Sequence, residues 1–220
     1  MRGVIREERT ASESTMNVPL VFLDVDTQVD FMLRTGSLYV PGAEAIVPNL
    51  KKLMAYAQER RIPVLSSTDA HSADDPSFAQ WPPHCVVGTP GQARIPETQL
   101  ASATVIPNRV GAFTAPPEWS GQFVIEKQEY DVSTNVNFAA ILASLGRRRF
   151  VVFGVATEYC VLSSALALRR RDLPVDLVTD AIKAITEEGG CKAIAEMTAA
   201  SVRLVTTADV CALEAPATLR

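Results

Sequence analysis

Short apolar runs alternate along this chain with stretches in which apolar residues recur at helical spacing. Leu20–Leu23 is apolar and is followed by Asp24 and Asp26. LVFLDVD (20–26) therefore reads as a strand buried on both faces that delivers an acid to its carboxyl edge. Ile46, Leu50, Leu53, Met54 and Ala57 share one helical face, and Pro48 fits that helix only near its first turn. Further strands are predicted at Ile62–Ser67, Phe123–Glu126, Phe150–Phe153, Pro174–Thr179 and Val202–Thr206. Helices are predicted over Asn135–Leu145, from Val161 through Leu168, and over Glu187–Ala200. Strands alternating with helices predict βαβ units and a parallel sheet covered on both faces, the α/β class. Thr68–Val124 breaks this rhythm. More than half of the prolines fall there, which predicts long surface loops rather than packed elements.

At 220 residues the chain can bury one substantial core, so residues 18–220 are expected to form a single domain. The polar stretch MRGVIREERTASESTMN (1–17) has no apolar segment of the kind a secretory signal needs and reads as a flexible extension. With 47% apolar and 21% charged residues, the composition is that of a soluble globular protein. A net charge of −4 offers no attraction to nucleic acid or to an anionic membrane, and no apolar run is long enough to span a bilayer. Cys85, Cys160, Cys191 and Cys211 contain no CxxC pair and are read as free thiols of a cytoplasmic protein. The basic triplets Arg147–Arg149 and Arg169–Arg171 fall at helix ends, where cations complement the helix dipole.

Three clusters carry candidate chemistry. In FVVFGVATEYC (150–160), Gly154 interrupts a buried strand, and Thr157 is placed as the N-cap of the helix that follows. Cys160 then lies in a first helical turn at the carboxyl end of a central strand. The partial positive charge there lowers a thiol pKa and can hold an oxyanion. A lone cysteine is by default a small buried hydrophobe; here Asp26 and Lys127 are predicted at the same sheet edge. A carboxylate beside a thiol can act as a base, and a lysine favours the thiolate by charge. The alternatives are a turn cap for Asp26 and a surface position for Lys127. The small residues before Cys160 let the amides of Ala156 and Cys160 approach a substrate carbonyl, as an oxyanion hole requires. Finally, both histidines of the chain lie in one loop with Asp69. Asp69, His71 and His84 make a plausible three-ligand site for Zn²⁺, Fe²⁺ or Mn²⁺, with Ser77, Asp74 or Asp75 as a further contact, direct or through water.

With these residues in view, the chain resembles the nicotinamidase and isochorismatase-like cysteine hydrolases. Asp26-Thr27-Gln28-Val29-Asp30-Phe31 matches the family's D-x-Q-x-D-F opening, with Gly36-Ser37-Leu38 and Val40-Pro41-Gly42-Ala43 as its continuation. Asp69-Ala70-His71 resembles its metal motif, and Trp81-Pro82-Pro83-His84-Cys85-Val86 with Gly88-Thr89-Pro90-Gly91 resembles the nicotinamidase branch. Lys127 falls at the catalytic lysine, and Gly154 to Val161 at the nucleophile motif. Three features depart from the pattern: Ser77 stands where some members place a third histidine or glutamate, the stretch Ala93–Gln122 is long and proline-bearing, and the continuation after Lys127 differs. The isochorismate-cleaving branch does without the nucleophilic cysteine and the metal cluster, so that activity is disfavoured.

The resemblance implies a three-layer α/β/α sandwich around a six-stranded parallel sheet, the isochorismatase-like hydrolase fold, with a cis peptide at Val155–Ala156. It implies a small-molecule amide substrate, nicotinamide first, hydrolysed through a Cys160 thioester with Asp26 as proton carrier. It also implies one divalent metal ion, Zn²⁺ foremost, and a homo-oligomer. Phe31 and Trp81 match the positions that sandwich the substrate ring, and Tyr130 and Tyr159 are further candidates for the pocket wall. Hydrolysis of another amide, ureido or carbamoyl compound is the nearest alternative. A non-catalytic metal-binding scaffold and a thiol-redox role lie further off.

Overall fold

A computed structural model describes residues 18–213; the extension expected over residues 1–17 lies outside the described residues. Seven parallel strands form one sheet: β1 (Leu20–Val25), β2 (Val64–Asp69), β3 (Ala103–Ile106), β4 (Gln122–Lys127), β5 (Arg149–Val155), β6 (Val175–Lys183) and β7 (Arg203–Val205), in the order β3-β4-β2-β1-β5-β6-β7. Among the described residues, six α-helices accompany the sheet: α1 (Val29–Met32), α2 (Val47–Arg60), α3 (Phe138–Leu145), α4 (Leu162–Arg169), α5 (Glu187–Ala199) and α6 (Thr207–Cys211). Among the described residues, no helix is long and apolar enough to cross a membrane.

Strand alternation sorts the core into two layers. Val21, Leu23 and Val25 of β1 and Phe150 and Val152 of β5 face Ile141, Leu145, Ala165, Leu168 and Met197 of α3, α4 and α5. Phe22, Val151, Phe153 and Val155 face Leu50, Leu53, Met54 and Ala57 of α2 and Val210 of α6. A sheet covered on both faces explains why its central strands are nearly continuous apolar runs. Pro48 occupies the first turn of α2. Arg148 and Arg171 donate to the carbonyls of Leu145 and Ala167, each at 2.8 Å, so part of each basic triplet closes the end of a helix.

Two sequence expectations need correction. The sheet has seven strands rather than six, because Ala103–Ile106 adds an edge strand inside the segment read as loop. The run ATVI is β-prone but only four residues long and closed by Pro107, and only Ile106 of it is buried. Nor is that segment purely superficial: Cys85, Arg94, Ile95 and Thr98 within it are all buried.

The register aligns the chemistry. Val25 pairs with Ser67 and Gly154, and Asp69 pairs with Lys127, so the carboxyl ends of β1, β2, β4 and β5 form one rim. Gly154 is indispensable there. Its φ is +117°, and a Cβ on it would lie 2.0 Å from the Val25 carbonyl oxygen.

Candidate active site

The rim brings the acid, amine and thiol together. Lys127 is fully buried, its Nζ 2.8 Å from Asp26 Oδ2 and 3.6 Å from Cys160 Sγ, and it also donates to Asp69 Oδ1. Carboxylate oxygens of Asp26 and Asp69 and the Cys160 sulfur lie within 4.8 Å of one another. Ser67 Oγ donates to Asp26 Oδ1 at 2.7 Å, leaving Oδ2 for Lys127. Cys160 follows a cis peptide between Val155 and Ala156 and sits in a π-helical turn, Thr157–Val161, that leads into α4. Ala156 precedes this turn and Thr157 is buried within it, so the expected Thr157 N-cap does not form.

The electrostatics differ from the sequence expectation for the thiol. Burial pushes the Cys160 pKa well above the ordinary value; Lys127 pulls it down, while Asp26 and Asp69 push it up again. Burial also raises Asp26, with Lys127 opposing and Asp69 adding to the rise. For Lys127, burial would lower the pKa, but its two carboxylate partners hold it well above normal. Burial would likewise raise Asp69, but Lys127 outweighs it and the net shift is downward. The shifts favour a neutral thiol beside an ammonium and two carboxyl groups, with Asp26 the carboxyl group raised toward its neutral form.

One prediction follows from the sign of the Asp26 shift. A base works only when deprotonated, so kcat/KM is present above the apparent pKa and lost as pH falls through it. That value belongs to the interacting Asp26–Asp69 carboxyl pair around Lys127 and is expected to lie above 3.8, the usual aspartate value. A pH profile of kcat/KM with its acid limb at or below that value would contradict the assignment.

Next to the thiol is a cavity lined by Phe31, Leu38, Val40, Asp69, Trp81, Tyr130, Val155, Ala156, Tyr159, Cys160 and Ile185. All four residues expected at the pocket wall, Phe31, Trp81, Tyr130 and Tyr159, line it, and so do Ala156 and Cys160. Trp81 Nε1 donates to Tyr130 Oη at 2.9 Å, and the rings of Trp81 and Tyr130 lie 5.6 and 5.3 Å from that of Tyr159. Leu38, Val40 and Ile185 were not assigned to the wall from sequence. Ile185 is held by Glu158, whose carboxylate accepts from the amides of Ile185 and Thr186.

A second cavity, lined by Asp69, His71, Asp75, Ser77, Gln80, His84 and Gln128 among others, meets the first at Asp69, Trp81 and Tyr130. His71 and His84 are buried, their ring centroids 4.8 Å apart. Each Nε2 faces the same Asp69 oxygen, Oδ2, at 3.7 and 3.8 Å. Two imidazoles and a carboxylate whose donor atoms lie within 4.8 Å of one another suit a divalent metal ion. Ser77 Oγ, buried in the same cavity, has no protein hydrogen-bond partner. Asp74 is exposed, and Asp75 contacts the far nitrogen of His71 instead of joining the ligand group.

Two positioning side chains escaped the sequence reading. Gln28 clamps the backbone of Asp69, accepting from its N–H at 2.7 Å and donating to its carbonyl at 2.9 Å. Asp30 accepts from the amides of Ser37 at 2.9 Å and Cys85 at 2.7 Å, tying two loops together. A Cβ at Gly91 would lie 2.1 Å from the Asp30 carboxylate, so the glycine makes that approach possible. Both side chains belong to the D-x-Q-x-D-F stretch, the one signal that pointed to them.

Fold, rim and nucleophile turn together define the class: the chain belongs to the isochorismatase domain family, whose model matches residues 20–209. Within it, the similarity runs to the nicotinamidase branch. The chain is 29% identical over 188 residues to the nicotinamidase/pyrazinamidase of Mycobacterium tuberculosis, covering 82% of this chain and 95% of that protein. To the nicotinamidase of Escherichia coli it is 26% identical over 212 residues, covering 87% and 96%. Among solved structures, the pyrazinamidase of Pyrococcus horikoshii in complex with zinc aligns with a TM-score of 0.71 at 28% identity, over 85% of this chain and 98% of that one.

Proposed function

We propose that this protein is a metal-containing cysteine amidohydrolase that converts nicotinamide and water to nicotinate and ammonia. The observation that carries the reading is the triad of Asp26, Lys127 and Cys160 opening onto a cavity walled by aromatic and aliphatic side chains. Flat aromatic walls suit a flat heteroaromatic ring, and the cavity leads it directly to the sulfur.

In this reading Asp26 accepts the Cys160 proton as the sulfur bonds to the carboxamide carbon. The amides of Ala156 and Cys160 receive the developing oxyanion. Asp26 passes its proton to the amide nitrogen, the C–N bond breaks and ammonia leaves a thioester. Water then gives a proton to Asp26 and its oxygen to the thioester carbon; the C–S bond breaks and the thiol is restored. The Lys127 charge stabilises both the carboxylate and the thiolate. Asp69, His71 and His84 would hold the metal, zinc foremost, which would supply Lewis acidity toward the ring nitrogen.

Of the described residues lining the cavity beside the thiol, only Asp69 is charged, so no lysine or arginine side chain lines it to receive the carboxylate of a carbamoyl or ureido compound. Ammonia release from nicotinamide, pyrazinamide and a panel of aliphatic carbamoyl and ureido compounds tests the assignment. The expected result is a kcat/KM for the heteroaromatic amides at least about tenfold above the rest, equivalent to about 1.4 kcal/mol of transition-state discrimination. Preference for a ureido compound would overturn the substrate, and no ammonia from any amide would favour a non-catalytic metal-binding role.

A further inference from the structure

We propose that Asp75 is a positioning residue for the metal, holding His71 so that its Nε2 presents a lone pair to the ion. This rests on the metal reading above.

The two histidines are each anchored through Nδ1, but unequally. His84 Nδ1 lies 2.8 Å from the Pro82 carbonyl oxygen, and His71 Nδ1 lies 3.0 Å from Asp75 Oδ2. A carbonyl and a carboxylate can only accept, so the Nδ1 side of each ring faces an acceptor suited to an N–H, the arrangement that leaves Nε2 for a metal. Those Nε2 atoms are the ones that converge on Asp69 Oδ2, at 3.7 and 3.8 Å. Asp75 lies somewhat off the line of the His71 N–H, making the contact a close electrostatic one rather than a linear hydrogen bond. Its strength therefore comes from the carboxylate's charge, which the neutral partner of His84 lacks. A charged acceptor behind the ring raises the ring's basicity as a ligand and restrains its orientation.

Local structure places Asp75 for this role. Its other oxygen, Oδ1, accepts from the Ser77 amide at 2.9 Å and so starts the short 3₁₀ turn Pro76–Ala79. That turn carries Phe78, whose ring centroid lies 5.5 Å from that of His71 and 5.7 Å from that of His84. One carboxylate thus fixes both the turn beside the imidazoles and the ring nitrogen of one of them.

The two jobs separate by substitution. Asp75→Ser keeps a short acceptor able to cap the Ser77 amide but cannot reach His71, whereas Asp75→Asn keeps a neutral acceptor of the original length. The measurement is the Zn²⁺ affinity of metal-stripped full-length protein, by competition with a chromophoric chelator, alongside the Co²⁺ absorption spectrum at saturation. The account expects Asp75→Ser to bind Zn²⁺ about 10–100-fold more weakly than wild type, Asp75→Asn to fall between, and all three to share one Co²⁺ band shape. Should Asp75→Ser fail to fold, Asp75→Asn carries the same comparison. Equal affinities would mean that Asp75 is only a cap, and an altered Co²⁺ spectrum would mean that it is itself a ligand; either overturns the proposal. Absence of Zn²⁺ uptake by wild type would instead remove the metal reading beneath it.

Discussion

Replacing Cys160 with alanine should abolish ammonia release from nicotinamide, with a loss on the order of 10⁴-fold or more. The size of the effect follows from how little else in the site can attack a carbonyl. Of the described residues around the cavity, Cys160 alone presents a nucleophile beside a base, and Lys127 is a buried cation committed to two carboxylates. Cys85 is no substitute: burial pushes its thiol far up, its sulfur faces the Gly91 carbonyl at 4.0 Å, and it does not line the cavity. The Cys160→Ala protein should fold normally, since trading a small buried thiol for a methyl group changes little in packing. Cys191 is exposed on α5 and serves as control; Cys191→Ala should keep full activity. Turnover by Cys160→Ala within tenfold of wild type would sink covalent catalysis here.

Lys127→Met should cost both stability and activity. The ammonium is fully buried and balances Asp26 and Asp69, whose carboxylates share its Nζ. Removing it leaves two buried carboxyl groups facing each other without a cation, a loss of about 3–5 kcal/mol for breaking such a pair. For a domain of this size that corresponds to a fall in Tm of roughly 10 °C. Activity should fall as well, because neither a deprotonated Asp26 nor a thiolate at Cys160 would have a counter-charge. Lys127→Arg should not rescue either property, since a guanidinium is larger and its planar fork does not fit a point-charge site. A Tm within a degree or two of wild type for Lys127→Met would show that the cation is not needed to hold the rim together.

Much of this arrangement could be read from the chain because parallel strands announce themselves. LVFL, FVVF and the other central runs are apolar on both faces, and the carboxyl rim lies one to three residues beyond each run. The pattern predicts Asp26, Lys127 and Cys160 on one edge, and the structure brings them together. What escaped the sequence lacks such a signature. The edge strand Ala103–Ile106 is mostly exposed. Gln28 acts through the backbone of Asp69, a contact that leaves no periodic trace. Ile185 lines the cavity with its amide bound by Glu158, 27 positions away in the chain, a contact no local pattern announces. The rise in the Cys160 pKa is hidden from sequence for a similar reason. A helix start and a nearby lysine are visible in sequence, whereas the depth of burial, the largest contribution to the rise, belongs to the folded site.

The most direct test is to quench the enzyme during turnover of nicotinamide and map the acyl group by peptide mass spectrometry. A nicotinoyl group on the peptide containing Cys160, and on no other, is the predicted result. Steady turnover with no acyl group on that peptide, or an acyl group on a different residue, would contradict it.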